Sequence, residues 1–258
     1  MKDSGRRLLW LFALALVALP PAYCSTGVKD DAPNDLASAN TNGPIVKGKE
    51  SEVAEILASP SACFPELISA VPFSIYGVDK HGNHVIFLEG RSINWEVVSS
   101  KKSHDLVDYV KYLALFFWVN VDKRANSALT VVVDTNGFTL RKVLNGSVKA
   151  VLDALVSGLE STVQYVGERP GHVFLLNSPA YLSPLISLLS GLVHPKVQLV
   201  SVSSRKKWEV LLQDHVGASF LPVEYGGLKA KTLMDSPFVK SIDQEVRRIL
   251  ESKTAVKL

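Results

Sequence analysis

Apolar and polar positions along the middle of the chain follow two different periods. Short runs of β-branched and aromatic residues are typical of buried strands, and these runs are FSIYGVD, HVIFLEG, ALTVVVDTNGF, HVFLL and VQLVSV. The turn-forming stretch DKHGN between the first two runs predicts a hairpin. Segments with apolar residues at helical spacing lie between the later runs. Strands that alternate with helices predict an α/β fold with a mainly parallel sheet and flanking helices that cover both of its faces.

The helical segments have predictable limits. One helix is expected over Asp105–Val121, and another is expected to begin at Ser147, with that residue as its N-cap. A third runs from about Lys206 to His215. An amphipathic helix starts at Ser236-Pro237, where the proline suits the first turn.

One stretch of the chain carries no charge. No Asp, Glu, Lys or Arg lies between Arg169 and Lys196. Within it, YLSPLISLLSGL (Tyr181–Leu192) predicts a helix that is apolar almost all the way round. Such a helix is either buried in a core or in contact with something oily, and its pattern alone rates the two alternatives equally.

The beginning of the chain resembles a secretory signal peptide. A positive start, the apolar run LLWLFALALVAL and small residues before Ser25 predict cleavage after Cys24, with an uncleaved signal anchor as the alternative. We therefore expect the lumen of the secretory pathway or the extracellular space as the location. The expected organisation is a signal peptide (1–24), a flexible lead (25–50), a short helical segment (51–71), a main domain (72–228) and a C-terminal amphipathic helix and tail (229–258).

Charge and cysteine content narrow the function classes. The net charge of the whole chain is +3, and the signal region contributes +2 of it, so the mature chain carries about +1. A nearly neutral chain lacks the basic footprint of a nucleic-acid-binding protein.

Cleavage would leave Cys63 as the only cysteine, so no intramolecular disulfide is expected and Cys63 is predicted to be a small buried residue.

The motifs of common enzymes are missing. There is no Gly-x-Ser-x-Gly nucleophile elbow, and His81 and His84 stand in a predicted turn without the spacing of a metal site. Asp134 and Asn177 follow two predicted strands, where ligand sites gather in open α/β sheets, but turn hydrogen bonding explains them better. The sequence Asn145-Gly146-Ser147 is an N-glycosylation sequon, which can be used only if the chain enters a lumen with that machinery.

Four segments together resemble the CRAL-TRIO lipid-binding domain family, also called Sec-fourteen-like. They are YGVDKHGNHVIFLEG, LTVVVDTNGF, YVGERPGHVFLLNSPAYLSPL and SFLPVEYGG, in that order and at similar spacing, over about Pro72 to Leu228. The resemblance implies a sheet floor with flanking helices and an apolar gate helix over a lipid cavity. The gate falls on Tyr181–Leu192.

The resemblance also implies the site residues. The gate residues expected to bind lipid are Tyr181, Leu182, Leu185, Ile186 and Leu189. Glu168 matches a glutamate that helps to bind inositol headgroups in phosphatidylinositol-binding members. Those members also carry a lysine shortly after the gate. This chain offers only Lys196, in a poor register, so the sequence does not predict phosphatidylinositol as the ligand.

The expected function is that of a non-enzymatic lipid-binding or lipid-transfer protein. It would hold a phospholipid or an isoprenoid-type lipid and contact membranes transiently, without a catalytic residue, metal, cofactor or nucleic-acid partner. The alternative is an interaction or scaffold module with a degenerate pocket. An α/β hydrolase is a third hypothesis, which the absence of a Gly-x-Ser-x-Gly nucleophile elbow disfavours.

Overall fold

A computed structural model of the 258-residue chain describes residues 44–125, 127–192, 195–228 and 237–255. The predicted signal peptide, residues 25–43 of the predicted lead and the last three residues lie outside the described residues.

Five strands form one sheet in the order in which they occur along the chain. They are β1 (Phe73–Val78), β2 (His84–Glu89), β3 (Leu129–Asp134), β4 (Gly171–Leu176) and β5 (Val197–Val202). β1 and β2 pair antiparallel across the predicted hairpin, and the three remaining pairings are parallel. The predicted α/β fold with a mainly parallel sheet is therefore confirmed.

The helices fill the connections between the strands and flank the sheet. They are α1 (Glu50–Leu57), α2 (Phe64–Ala70), α3 (Trp95–Ser100), α4 (Ser103–Asn120), α5 (Leu140–Leu144), α6 (Ser147–Glu160), α7 (Val163–Val166), α8 (Ser183–Leu192), α9 (Arg205–His215) and α10 (Pro237–Ala255). A 3₁₀ turn, Ala180–Leu182, leads into α8. In the described part of the chain, no helix is both long and apolar enough to cross a membrane.

The crossover helices α4, α6 and α8 share one face of the sheet. Neighbouring parallel strands that follow each other in sequence place their right-handed crossovers on the same side. Alternate strand residues point into the core on that side, and they include Leu88, Val131, Val133 and Leu175. The residues between them point to the opposite face, where Trp208 and Leu212 of α9 cover the sheet.

Two local expectations need correction. Gly146, with a φ of 83°, is the N-cap residue of α6, and Ser147 is the first helical residue instead of the cap. The positive φ explains the shift, because glycine adopts it without steric cost. The Ser147 hydroxyl is instead 2.8 Å from the hydroxyl of Ser99.

Cys63, which was expected to be buried, is only partly buried, and its sulfur atom lies 3.0 Å from the Ser61 hydroxyl.

Candidate functional site

An apolar cavity of about 160 Å³ lies between α6 and strands β3, β4 and β5. Its walls are side chains of α6 at helical spacing and alternate residues of the three strands, which are Leu152, Leu155, Val156, Leu159, Val131, Val133, Val173, Leu175, Val197 and Leu199. Leu189 of α8 and Trp118 of α4 also line it. The cavity is thus a gap between α6 and the strand residues that face it.

Polar residues gather where the strands begin. Glu160, Thr162, Glu168 and Arg169 line this end of the cavity, close to the first residues of β3 and β4. The Glu168 carboxylate forms an ion pair with the Lys196 ammonium group, whose Nζ atom lies 2.7 Å from the Oε2 atom of Glu168. Both side chains are partly exposed, so the pair stands at the border between the cavity and solvent.

The parallel register brings Glu168 and Lys196 together. Gly171 of β4 lies opposite Val197 of β5, and Glu168 stands three positions before β4 while Lys196 directly precedes β5. The Gly171 amide also donates to the Lys196 carbonyl at 3.2 Å. The spacing along the sequence gives no hint of this contact, and the poor register of Lys196 relative to the lysine of the phosphatidylinositol-binding members stays a prediction.

The side chain of Arg169, the neighbour of Glu168, has a structural role. Its guanidinium donates to four backbone carbonyl oxygens, those of Pro44, Arg124, Ala125 and Val166. It also lies over the Trp118 ring, 4.7 Å from the ring centre. Burial lowers the pKa of Arg169, against a smaller opposing effect of nearby Asp122. This residue therefore joins the entrance of the cavity to the loop before β3, and its hydrogen bonds are directed to the backbone.

Helix α8 has a buried side and an exposed apolar edge. Leu189 is 3% exposed and Leu182, just before the helix, is 2% exposed, whereas Leu188 and Leu192 are each 49% exposed. Leu185 and Ile186 are partly buried against the core. The three serines of the helix, Ser183, Ser187 and Ser190, are exposed. The helix is thus neither an ordinary core helix nor a polar surface helix.

The structure brings only some of the expected lipid-binding residues to the cavity. Leu189 and Glu168 line it. Tyr181 instead donates its hydroxyl to the Phe138 carbonyl at 2.8 Å, which ties the start of α8 to the loop after β3. Leu182, Leu185 and Ile186 pack beside the cavity in the core that α8 shares with α6. Their part in lipid binding stays a prediction.

Most of the lining escaped the sequence-based prediction. The apolar row of α6 is visible in the sequence, but its residues are of the same types as those of a filled core. The inward residues of β4 and β5 carry no signal beyond their alternation. A cavity is a gap in packing, and no residue type marks it.

The other end of the sheet holds a buried polar network. Asn177, at a φ of 57°, donates to Asp134 at 2.8 Å and accepts from the Trp208 indole at 3.0 Å. The Tyr225 hydroxyl lies 3.0 Å from a Glu89 carboxylate oxygen and 3.3 Å from one of Asp134. Burial, and then the two carboxylates, raise the pKa of Tyr225 far above its ordinary value.

This network is structural. It ties the carboxyl ends of β2, β3 and β4 to α9 and to the loop that contains Tyr225. Asp134 makes a turn hydrogen bond, because it accepts the Asn136 backbone N–H at 3.0 Å, whereas the Asn177 side chain bonds to Asp134 and Trp208 of other elements. Within the described ranges, no group of three His, Cys, Asp or Glu side chains could hold a metal ion.

One known protein family matches the part of the chain that contains the sheet. A sequence profile of the CRAL/TRIO domain matches residues 69–227. A solved structure titled "Crystal structure of Sfh5" is 17% identical, with a TM-score of 0.48, and the alignment covers 79% of this chain and 72% of that one. No curated protein matches the chain. CRAL/TRIO proteins generally bind lipids and are not enzymes as a rule. Because the profile matches more than half of the 258 residues, this chain belongs to the CRAL/TRIO domain family.

Proposed function

We propose that this protein binds one hydrophobic lipid in the cavity between α6 and the sheet and transfers it between membranes. The observation that carries the proposal is the position of α8. Its Leu189 lines the apolar cavity, while its Leu188 and Leu192 lie exposed on the same helix. One element therefore contacts both the space for a ligand and the surface of the protein.

Binding of a whole lipid in this cavity would require that α8 moves. A volume of about 160 Å³ is close to the ~150 Å³ of an engineered cavity that accepts benzene, and it is below the roughly 300 Å³ at which ligand pockets begin. A phospholipid or an isoprenoid-type lipid needs more room. We infer that the cavity enlarges when α8 swings away from α6, which would also open a path for the ligand.

Membrane contact follows from the energetics of an acyl chain. Moving one methylene into water costs about 0.8 kcal/mol, so a long chain cannot cross water unprotected at a useful rate. An open α8 would present Leu188 and Leu192 to the bilayer together with the buried leucines it had covered. The lipid would then pass from one apolar environment directly to another.

The Glu168–Lys196 ion pair suggests the chemistry of the headgroup. A carboxylate accepts hydrogen bonds from hydroxyl groups, and an ammonium group donates to phosphate or hydroxyl oxygens. The pair stands 2.7 Å apart at the polar end of the cavity. It suits a phosphorylated or polyhydroxylated headgroup such as that of an inositol lipid, which would exchange the ion pair for contacts with both residues.

The small volume supports one competing function. A cavity that cannot enlarge would belong to an interaction or scaffold module whose pocket is degenerate. Such a protein would contain no lipid after purification, and substitutions on α8 would change a protein partner's binding instead of lipid transfer.

Mass spectrometry of lipids bound to the purified chain tests the proposal. The native protein should contain one class of lipid at near-stoichiometric amounts. Val173→Phe adds a ring to the cavity wall and should abolish the bound lipid while the fold remains. Val210→Phe, at a position of α9 that is 53% exposed on the opposite side of the sheet, is the matched control. A native protein without lipid would favour the scaffold alternative.

We also propose that the protein works in a lumen of the secretory pathway or outside the cell. The support is the signal-like order of residues 1–24. N-terminal sequencing of the protein from its natural source should find Ser25 at or within two residues of the start. An intact Met1 on membrane-bound protein would contradict this location.

A further inference from the structure

We propose that Asn145 carries an N-linked glycan, a modification that rests on the proposed entry of the chain into the secretory lumen. Asn145-Gly146-Ser147 is the one Asn-x-Ser/Thr sequence in the chain. Asn145 follows the last residue of α5 and its side chain is exposed. The asparagine of the sequon therefore lies at a helix–helix turn on the surface.

The amide of Asn145 is turned so that its nitrogen is free. The Oδ1 atom accepts the backbone N–H of Ser147 at 3.1 Å, which directs the oxygen back toward the turn. The Nδ2 atom, to which a glycan attaches, makes no hydrogen bond to any part of the chain that the structure describes. A sugar on Nδ2 would break none of these contacts.

The surroundings of the turn are open. Gly146 has a φ of 83°, and among the described residues no heavy atom from a more distant part of the chain lies within 4 Å of where its Cβ would stand. Leu144, directly before Asn145, is 71% exposed, and Leu140 of the same helix is 49% exposed. The first sugars of a glycan would have room here, and they would lie over these two leucines.

The buried Ser147 sets the time of modification. A glycosyltransferase must bind the hydroxyl group of the sequon. In the folded protein, however, Ser147 is 6% exposed and its hydroxyl is 2.8 Å from that of Ser99. The transferase can therefore recognise the sequon only before α3 and α6 have packed against each other. We infer that the glycan is added while the chain is still entering the lumen, and that the folded protein is not a substrate.

The chemistry needs a lipid pyrophosphate-linked oligosaccharide as co-reactant. The Nδ2 atom attacks the first carbon of the reducing sugar, and an N-glycosidic bond forms. The bond between that carbon and the pyrophosphate oxygen breaks, so the lipid pyrophosphate leaves. The amide loses one proton to a base of the transferase, and no oxidation or reduction occurs.

A glycan at Asn145 also limits which surface can meet a membrane. It would stand between the exposed leucines of α5 and a bilayer. The membrane-facing apolar surface must then lie elsewhere, and α8 with Leu188 and Leu192 provides it.

The test is expression of the full chain in eukaryotic secretory cells with a C-terminal Asn-Gly-Thr tag that reports entry into the lumen. Peptide mass spectrometry after treatment with a peptide-N-glycosidase, which hydrolyses the glycosylated side-chain amide, should find Asn145 converted to Asp in the native chain and in Ser147→Thr, which keeps the sequon. The Asn145→Gln variant should retain only the glycan of the tag, and folded protein from bacteria should accept no glycan in vitro.

Two outcomes would overturn the proposal and can be told apart. A glycosylated tag beside an unmodified Asn145 would show that the chain enters the lumen but that this turn is not used. An unmodified tag would show that the chain stays outside the lumen, which would also remove the proposed location while leaving lipid binding itself open to the test above.

Discussion

The Glu168 carboxylate lies 2.7 Å from the Lys196 ammonium group at the polar end of the apolar cavity. The two residues precede neighbouring parallel strands, so the sheet fixes their separation. An ion pair between partly exposed groups contributes at most about 1 kcal/mol to folding. Its position beside the cavity is therefore of more interest for the ligand than for stability.

The first prediction concerns this ion pair. If the bound lipid has an inositol headgroup, Glu168→Gln should weaken its binding by about 1.5–3 kcal/mol, the range for a charged hydrogen bond. Binding of phosphatidylinositol and of phosphatidylcholine from vesicles should be compared. Glu209→Gln is the control, because it removes the 2.7 Å surface ion pair with Arg205 on α9. Unchanged binding of a confirmed inositol lipid would refute the headgroup assignment.

The second prediction separates the two sides of α8. Leu188→Asp should leave thermal stability within about 0.5 kcal/mol of native, because the position is 49% exposed. It should reduce transfer of a fluorescent lipid between vesicles, since an aspartate at membrane depth costs about 2.5–3.5 kcal/mol. Leu189→Asp, at a position that is 3% exposed, should unfold the domain because it buries an unpaired charge.

Val210→Asp is the control for this pair, because the residue is 53% exposed on α9, across the sheet from α8. It should leave both stability and transfer near native. The gate hypothesis fails if Leu188→Asp and Leu192→Asp both transfer lipid at the native rate.

The third prediction concerns the hydrogen bond that holds the start of α8. Tyr181→Phe removes the donation to the Phe138 carbonyl at 2.8 Å. The expected loss of stability is about 0.5–1.5 kcal/mol. Lipid transfer should become faster, because the closed position of α8 loses part of its support. Stopped-flow transfer assays would measure this.

Tyr112→Phe is matched to that change. It removes a similar bond, to the Leu57 carbonyl at 3.0 Å, on the N-terminal helices. A similar loss of stability without faster transfer is expected. Equal acceleration in both variants would mean that lower stability, and not the release of α8, controls the rate.

The fourth prediction is a loss of stability below pH 6.5. The rings of His172 and His215 lie 4.4 Å apart on the α9 side of the sheet, and the pKa of each is lowered, chiefly by burial. His81 and Lys80 lower the pKa of His215 further, while the Asp79 carboxylate raises it. The unfolded chain therefore binds protons at a higher pH than the folded one.

The direction in which stability changes with pH follows from this difference in pKa between the folded and the unfolded chain. Stability is fully present above the unfolded value of about 6.5, and it falls as the pH decreases through that value toward the lowered folded pKa. Urea denaturation at pH 7.5 and pH 5.5 would measure the change. His172→Gln should show a smaller difference between the two conditions. A native protein that is equally stable at both would contradict the prediction.

Local patterns were sufficient for the five strands, for a mainly parallel sheet and for the longer helices. β3 up to its final Asp134, and β4 after Gly171 and His172, are β-branched or apolar because a parallel strand is buried on both faces, and this composition is recognisable without a structure. The hairpin before β2 was predictable because DKHGN has few alternatives to a turn. The four family segments then gave a specific fold.

Tertiary structure alone decided the site. Leu188 and Leu189 are adjacent and identical in type, yet one is half-exposed and the other is buried, since only packing against α6 distinguishes the two sides of a helix without charged residues. Glu168 and Lys196 meet because β4 and β5 align Gly171 with Val197, and such pairing depends on register between distant segments. The cavity is likewise a gap between elements, and its volume depends on how closely they approach, which residue types do not encode.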